Sequence, residues 1–299
     1  MQIRFGVAPI AWSNSDLPQL GGDTALETCL EESRAAGFSG TETGIKFPMD
    51  AARLGPLLRS HGLALVSGWF SGELLARPVE EEKTRIEPQL ATFRTLGAPV
   101  LVYAETTGSV QSRIDVPLSK RPRIADAQFR DYGRKLTALA EWMAEHGVAM
   151  AYHHHMGTIV ESQREIDLLM ENTGSAVGLL VDTGHLAYAG ADVLGTARRH
   201  ARRINHVHCK DVRPEVLKRV RQKDASFLAA VLEGVYTVPG DGCLDYYAFA
   251  RLLADIGYAG WVVVEAEQDP AKAPPLEYSR MGLQHLRAAF GAAGYDFAH

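Results

Sequence analysis

The sequence predicts a single α/β domain folded as a closed (β/α)8 barrel. Three observations carry this expectation. Eight short β-rich runs recur along the 299 residues, each bounded by turn residues and separated from the next by a long segment of amphipathic helical spacing. The runs are continuously apolar, not alternating, so both faces of each strand are covered and the sheet is parallel. Eight strand–helix units are also what a chain of this length accommodates. No Gly-rich dinucleotide fingerprint follows the first run, which disfavours an open doubly wound sheet.

In order, the runs are IRFGVAP (3–9), GFSGTETG (37–44), LALVSGWF (63–70), PVLVYAET (99–106), VAMAYHHH (148–155), VGLLVDTGH (177–185), INHVHCKD (204–211) and GWVVVEAE (260–267). Between them, DTALETCLEESRAAG, EEKTRIEPQLATFRTLG, FRDYGRKLTALAEWMAEHG and YYAFARLLADIGYAG repeat apolar residues every three or four positions and mostly stop at glycine, the residue that ends a helix most easily. The basic stretch RPEVLKRVRQK (213–223) is expected to form a solvated helix face within a long insertion after the seventh strand, where it can cover the mouth of the barrel.

Composition narrows the function. With 46% hydrophobic and 22% charged residues the chain can bury a sizeable core, and a net charge of −5 provides no positive field for a phosphate backbone, so nucleic acid is not an expected partner. The start MQIRFGVAPIAWSN lacks a basic segment followed by a long apolar stretch and a cleavage site, and nowhere do about 18 uncharged apolar residues run together. A soluble cytoplasmic protein with no membrane partner is expected. Cys29, Cys209 and Cys243 are too few and too scattered for a disulfide framework or a paired-cysteine zinc site.

Active sites of such barrels lie at the C-terminal ends of the strands. Those positions hold Trp12; Glu42 and Lys46; Trp69; Glu105; His153, His154 and His155; Asp182 and His185; His206, His208, Lys210 and Asp211; and Glu265 with Glu267. Seven of the eleven histidines fall between His153 and His208. Burial alone does not place a carboxylate or imidazole at the end of nearly every apolar strand, because each costs several kcal/mol in a dry site unless paired or metal-bound. Imidazole nitrogens with carboxylate oxygens form the ligand set of a borderline divalent ion such as Mn2+, Co2+ or Zn2+. His206 and His208 share a face because strand side chains repeat every two residues. Asp182, directly after GLLV, is either a ligand or the cap of the next helix, and His185 is a substrate contact or a partner that orients a ligand. Trp12 and Trp69 are core residues or stacking surfaces, and Glu42 and Glu105 are site residues or rim charges.

The motifs DTGH, HVHCKD and GYAGWVVVEAE resemble the xylose isomerase-like superfamily of metal-dependent TIM barrel sugar isomerases and epimerases, along essentially the whole chain. That resemblance implies Asp182, His208 and Glu265 as metal ligands, with His185 facing the substrate. On the fifth strand the family's Glu-Asn-His is replaced by HHH, which puts His153 at the glutamate position. This departure, together with GTETGIKFP and YHHHMGT, resembles the inosose dehydratase branch, which eliminates water from 2-keto-myo-inositol.

What the branch resemblance implies is a metal-dependent hydro-lyase of inositol catabolism, acting on a small cyclic polyol ketone with Mn2+ or Co2+. His153 becomes the fourth ligand, His154 points into the core and His155 reaches the substrate. Glu265 doubles as the base and His155 or His185 serves as the acid, while Trp12, Glu42, Lys46, Trp69, His206, Lys210 and Glu267 surround the substrate. A dehydratase needs one base for the proton alpha to the ketone and one acid for the departing beta hydroxyl, and imidazole is suited to the second task near neutral pH. An isomerase or epimerase on the same barrel is the alternative activity. A homo-oligomer is compatible with the sequence.

Overall fold

The computed structural model describes residues 1–298. Eight parallel strands close into a barrel: β1 (Gln2–Val7), β2 (Gly40–Thr43), β3 (Ala64–Gly72), β4 (Val100–Glu105), β5 (Ala149–His153), β6 (Val177–Asp182), β7 (Ile204–Cys209) and β8 (Gly260–Val264). The closure is the parallel pairing of β8 with β1, from Ile3 opposite Gly260 to Val7 opposite Val264. A two-residue strand, Asp296–Phe297, adds to the outside of β1 at Gln2 and Ile3.

The helices are α1 (Leu26–Ala36), α2 (Ala51–Ser60), α3 (Val79–Leu96), α4 (Gln128–Glu145), α5 (Gln163–Glu171), α6 (Thr183–Ala189), α7 (Val193–Arg199), α8 (Pro214–Gln222), α9 (Phe227–Leu232), α10 (Tyr246–Asp255) and α11 (Pro275–Ala292). The expected glycine stops hold for α1 and α3, which end at Gly37 and Gly97 in the left-handed conformation. The second run starts as strand only at Gly40, because Gly37 still belongs to that helix cap. The sixth run ends at Asp182, whose side chain accepts a hydrogen bond from the His185 amide and so opens α6 three residues before the apolar pattern runs out.

Alternation along each strand divides the core in two. Outward residues such as Phe5, Leu101, Tyr103, Tyr152, Val181 and Val207 pack beneath the helices in the main apolar cluster. Inward residues form two small clusters, one of Val66, Trp261 and Val263 and one of Val100, Val102, Ala151 and Leu180. Gly40 is required at its inward position, since a Cβ there would lie 2.6 Å from the Trp261 ring. The same parity carries upward to the strand ends, so that Glu42, His153, Asp182, His206, His208 and Glu265 all point into the barrel mouth.

Between β7 and α10 the chain makes an excursion over this mouth. Asp211–Val212 pairs antiparallel with Tyr236–Thr237, and α8 and α9 fill the interval. Helix α8 buries only Val220, as the basic stretch led us to expect of a solvated face. Val220, Phe227, Val231 and Tyr236 join Leu17, Val110, Leu118 and Met156 in a separate apolar cluster. Asp211 closes the excursion from within: its Oδ1 accepts the amides of Val212, Cys243 and Leu244. Among the described residues no helix is long and apolar enough to cross a membrane.

Candidate metal and active site

Strand register brings the donor atoms together. Asp182 lies beside His208 in the β6–β7 pairing, and His153 lies beside Leu180 one step below. His153, Asp182, His208 and Glu265 each offer one ligand atom, and these four atoms all lie within 4.8 Å of one another. His153 donates Nδ1–H to the carbonyl of His154 at 2.7 Å, which leaves the Nε2 lone pair facing Asp182 Oδ2 at 3.7 Å. His208 Nδ1 is 2.8 Å from Glu265 Oε2 and 3.7 Å from Asp182 Oδ2.

Asp182 is both alternatives raised by its sequence position. Oδ1 caps α6 through the His185 amide at 2.8 Å, whereas Oδ2 is buried with no hydrogen-bond partner. Lys210 Nζ stops 3.6 Å away. A buried carboxylate oxygen without a hydrogen-bond partner is costly; three carboxylates, Asp182, Glu265 and Glu267, surround one lysine, and a fourth, Glu42, is buried against His208. A divalent cation fits both facts: it gives Oδ2 a partner and offsets the remaining negative charge, and two nitrogens with two oxygens suit a borderline ion.

Beneath the cluster, Glu42 Oε1 receives His206 Nε2 at 2.9 Å, His208 Nε2 at 3.0 Å and the Ser67 hydroxyl. This carboxylate–histidine contact holds the His208 ring with Nδ1 aimed at the ligand cluster, an arrangement that raises ligand basicity and fixes orientation. Glu42 and His206 were expected to contact substrate. The carboxylate of Glu42 does border the cavity, while His206 lies below it.

Beside the cluster, Lys210 Nζ donates to Glu267 Oε2 at 2.7 Å and lies 3.1 Å from Glu265 Oε2 and 3.0 Å from His185 Nε2. His155 donates Nδ1–H to the Met156 carbonyl at 2.8 Å and turns Nε2 toward Glu267 Oε1 at 3.7 Å. His185 sits one layer back, its Nδ1 accepting the Met156 amide at 3.3 Å. His154 is fully buried, and its Nε2 accepts the Asp182 amide at 3.3 Å.

Burial would raise Glu42, but the adjoining His208 and His206 imidazoles outweigh it and bring the carboxyl down to about 2. Burial likewise pushes His208 down, and Glu42 and Glu265 reverse it, leaving the imidazole well above its ordinary value. His153 and His185 go the other way, held well below the histidine range by burial and by neighbouring cationic groups. His155 is raised despite its burial because Glu267 faces it. Lys210 stays charged, burial being overcome by Asp182, Glu265 and Glu267.

The cavity above these residues has a volume of about 250 Å3 and opens to solvent. His153, His155, His208, Glu265 and Glu267 form one part of the lining; Trp69 sets its ring edge-on to His153 and His155 at 5.6 and 5.5 Å. Lys210, expected to contact substrate, is instead fully buried among Asp182, Glu265 and Glu267 and does not line the cavity, and Trp12, Lys46 and Glu105 lie away from the site altogether. Trp12 is packed in the main core and donates its indole N–H to Glu32 at 2.6 Å. Lys46 binds the carbonyls of Gly21, Gly22 and Thr24. Glu105 has the outward parity of Leu101 and Tyr103 and accepts the Leu75 and Thr107 amides beneath the helices. Asp16, Gln111 and Ser71 line the cavity without having been singled out. Asp16 and Gln111 lie on loops outside the apolar runs, where no periodicity marks them.

Comparison with known proteins agrees with the fold. Residues 30–289 match the family described as xylose isomerase-like TIM barrel. The chain belongs to this family. Across 295 residues it is 52% identical to the rhizopine catabolism protein MocC of Rhizobium meliloti, covering 99% of this chain and 91% of that protein. It is 43% identical over 292 residues to the inosose dehydratase of Geobacillus thermodenitrificans, covering 97% and 98% of the two chains. Among solved structures, the IOLI protein with a bound zinc atom superposes with a TM-score of 0.67 at 17% identity, covering 97% of this family member and 98% of that chain.

Proposed function

We propose that this family member is a metal-dependent hydro-lyase that eliminates water from 2-keto-myo-inositol in inositol catabolism. The near full-length identity with inosose dehydratases supports the reaction. The observation that carries the chemistry is the buried Asp182 Oδ2, without a hydrogen-bond partner, inside a four-donor cluster.

In this reading His153, Asp182, His208 and Glu265 hold a divalent ion, Mn2+ or Co2+. Such an ion supplies Lewis acidity to a ketone oxygen and stabilises enolate charge. Glu265 accepts the proton from the carbon alpha to the ketone. Its other neighbours, His208 and Lys210, keep the carboxylate ionised and ready to do so. His155 then delivers a proton from Nε2 to the beta hydroxyl as its C–O bond breaks, and water departs, leaving an enol that tautomerises to the diketone. His155 suits this role better than His185, because it lines the cavity and Glu267 stabilises its charged form, whereas His185 is set back and flanked by Lys210. Trp69 forms an apolar wall against the ring of the substrate.

The test is incubation of metal-loaded protein with 2-keto-myo-inositol and mass analysis of the product. Loss of one water with a diketone spectrum is expected; an isomer of unchanged mass would assign the chain to the isomerases or epimerases instead. The higher identity with MocC favours a second setting, rhizopine catabolism, and growth of a deletion strain on rhizopine and on inositol separates the two.

A further inference from the structure

The loop-built part of the cavity contains a polar pair that the elimination leaves unused. Gln111, on the loop after β4, is 6% exposed, lines the cavity, and has a buried Oε1 with no hydrogen-bond partner. Asp16, on the loop after β1, lines the same cavity, with its carboxylate near Gln111, His155 and Glu267. Both loops are held from behind. The buried Asn14 accepts the amides of Asp16 and Leu17 through Oδ1, each at 2.8 Å. Val110 donates to the Gly157 carbonyl at 3.0 Å; Gly157 has φ +84°, and a Cβ there would stand 3.0 Å from the Gln111 amide nitrogen. These two side chains are therefore presented by fixed backbone.

Their chemistry is one-sided. A carbonyl oxygen and a carboxylate both accept, and Gln111 Oε1 has no donor within the protein. A buried acceptor without a donor is destabilising, and hydroxyl groups of a ligand in this cavity supply donors. A keto or ether oxygen would present a lone pair to Gln111 Oε1, and a phosphate would meet the carboxylates of Asp16 and Glu267. We propose that Asp16 and Gln111 form a subsite for neighbouring hydroxyls on the ring edge away from the reacting carbons, restricting the enzyme to unphosphorylated cyclic polyols. The identity of the reacting end rests on the dehydratase reading, whereas the subsite stands on the loop geometry.

The experiment uses metal-loaded protein and two unreactive probes: myo-inositol, and a cyclohexanetetrol that lacks two neighbouring hydroxyls. Binding is measured by calorimetry for the parent, Gln111→Met and Asp16→Asn, with circular dichroism melting to confirm folding. The parent should bind myo-inositol at least about tenfold more tightly than the tetrol, and Gln111→Met should weaken myo-inositol by roughly tenfold while changing the tetrol less than about twofold. Asp16→Asn should reduce the same preference, and in both variants the KM for 2-keto-myo-inositol should rise more than kcat falls. Equal effects on both probes, no effect on either, or a parent that binds neither would overturn the subsite. A parent that shows the preference but does not dehydrate 2-keto-myo-inositol would leave the subsite standing and refute the reaction.

Discussion

Glu42→Gln tests how the floor of the site is built. In the native chain one oxygen, Oε1, takes three donors: His206 at 2.9 Å, His208 at 3.0 Å and the Ser67 hydroxyl. An amide oxygen has two lone pairs, so one donor loses its partner at a cost of about 1–3 kcal/mol. The other two bonds pass from charge-assisted to neutral, each weaker by about 1 kcal/mol. The sum is a loss of roughly 3–5 kcal/mol in the metal-free protein, readable by urea unfolding. Because Glu42 also orients His208, the affinity for Mn2+ or Co2+, measured by competition with a chromophoric chelator, should fall by about 10- to 100-fold. His206→Ala is the control: it keeps the contact between Glu42 and His208 and should leave metal affinity within about threefold of the parent. Stability within about 1 kcal/mol of the parent together with unchanged metal affinity would show that Glu42 does not organise the ligand cluster.

Chelation should abolish turnover of 2-keto-myo-inositol, and added Mn2+ or Co2+ should restore it; full activity with metal shown absent refutes the ligand assignment. Asp182→Ala removes both the ligand and the α6 cap, so metal is lost and stability drops by about 1 kcal/mol, whereas Asp182→Asn keeps an oxygen for the cap and should impair metal binding with a smaller loss of stability. His153→Glu should lower elimination by at least about tenfold while metal binding and some proton exchange alpha to the ketone persist; equal elimination rates would remove any special part for the strand-five histidine. Glu105, raised by burial from 4.5 to about 7, keeps its proton in the folded chain at pH values where the unfolded chain has released it. Its contribution to stability is therefore present below about pH 4.5 and is lost as pH rises to about 7, amounting to roughly 3 kcal/mol. The stability of Glu105→Gln relative to the parent should accordingly increase by that amount over this range, since any cost of the amide itself does not vary with pH; a pH-independent difference would contradict the burial effect.

Much of this was legible in the sequence because a parallel strand buried on both faces is a continuous apolar run, and an ionisable residue at its end has few reasons to be there. The strand positions hold to within a few residues, and the convergence of His153, Asp182, His208 and Glu265 follows once they share inward parity. Parity is also what the run of Glu105 concealed: an all-apolar strand does not announce which of its faces is inside, and Glu105 falls on the outer one. Trp12 was ambiguous for a different reason, since an indole at a strand end packs as readily against a helix as against a ligand. Lys46 was placed correctly on the β2 loop, yet three carbonyls nearby claim its charge. Asp16 and Gln111 reach the cavity through loop conformations set by Asn14 and Gly157, and no spacing rule encodes those.

Asp182 shows why the ambiguities of single residues did not obscure the site. As a helix cap it needs one oxygen, and as a ligand it needs one oxygen; the two roles are compatible because the carboxylate has two, and the turn from β6 into α6 aims them in different directions. The cap fixes the side chain before any ion arrives, so the ordering cost of one ligand is met by folding. Glu42 does the same for His208 and the His154 carbonyl does it for His153. Three of the four proposed ligands are thus anchored by a hydrogen bond to the atom that does not face the cluster. The fourth proposed ligand, Glu265, has no such anchor: its Oε2 meets His208 Nδ1 and Lys210 directly, and both of these contacts have to rearrange if an ion binds between them. That distinction favours Glu265 over Asp182 as the base, because a proton acceptor has to exchange partners during turnover while a pure ligand gains from staying fixed.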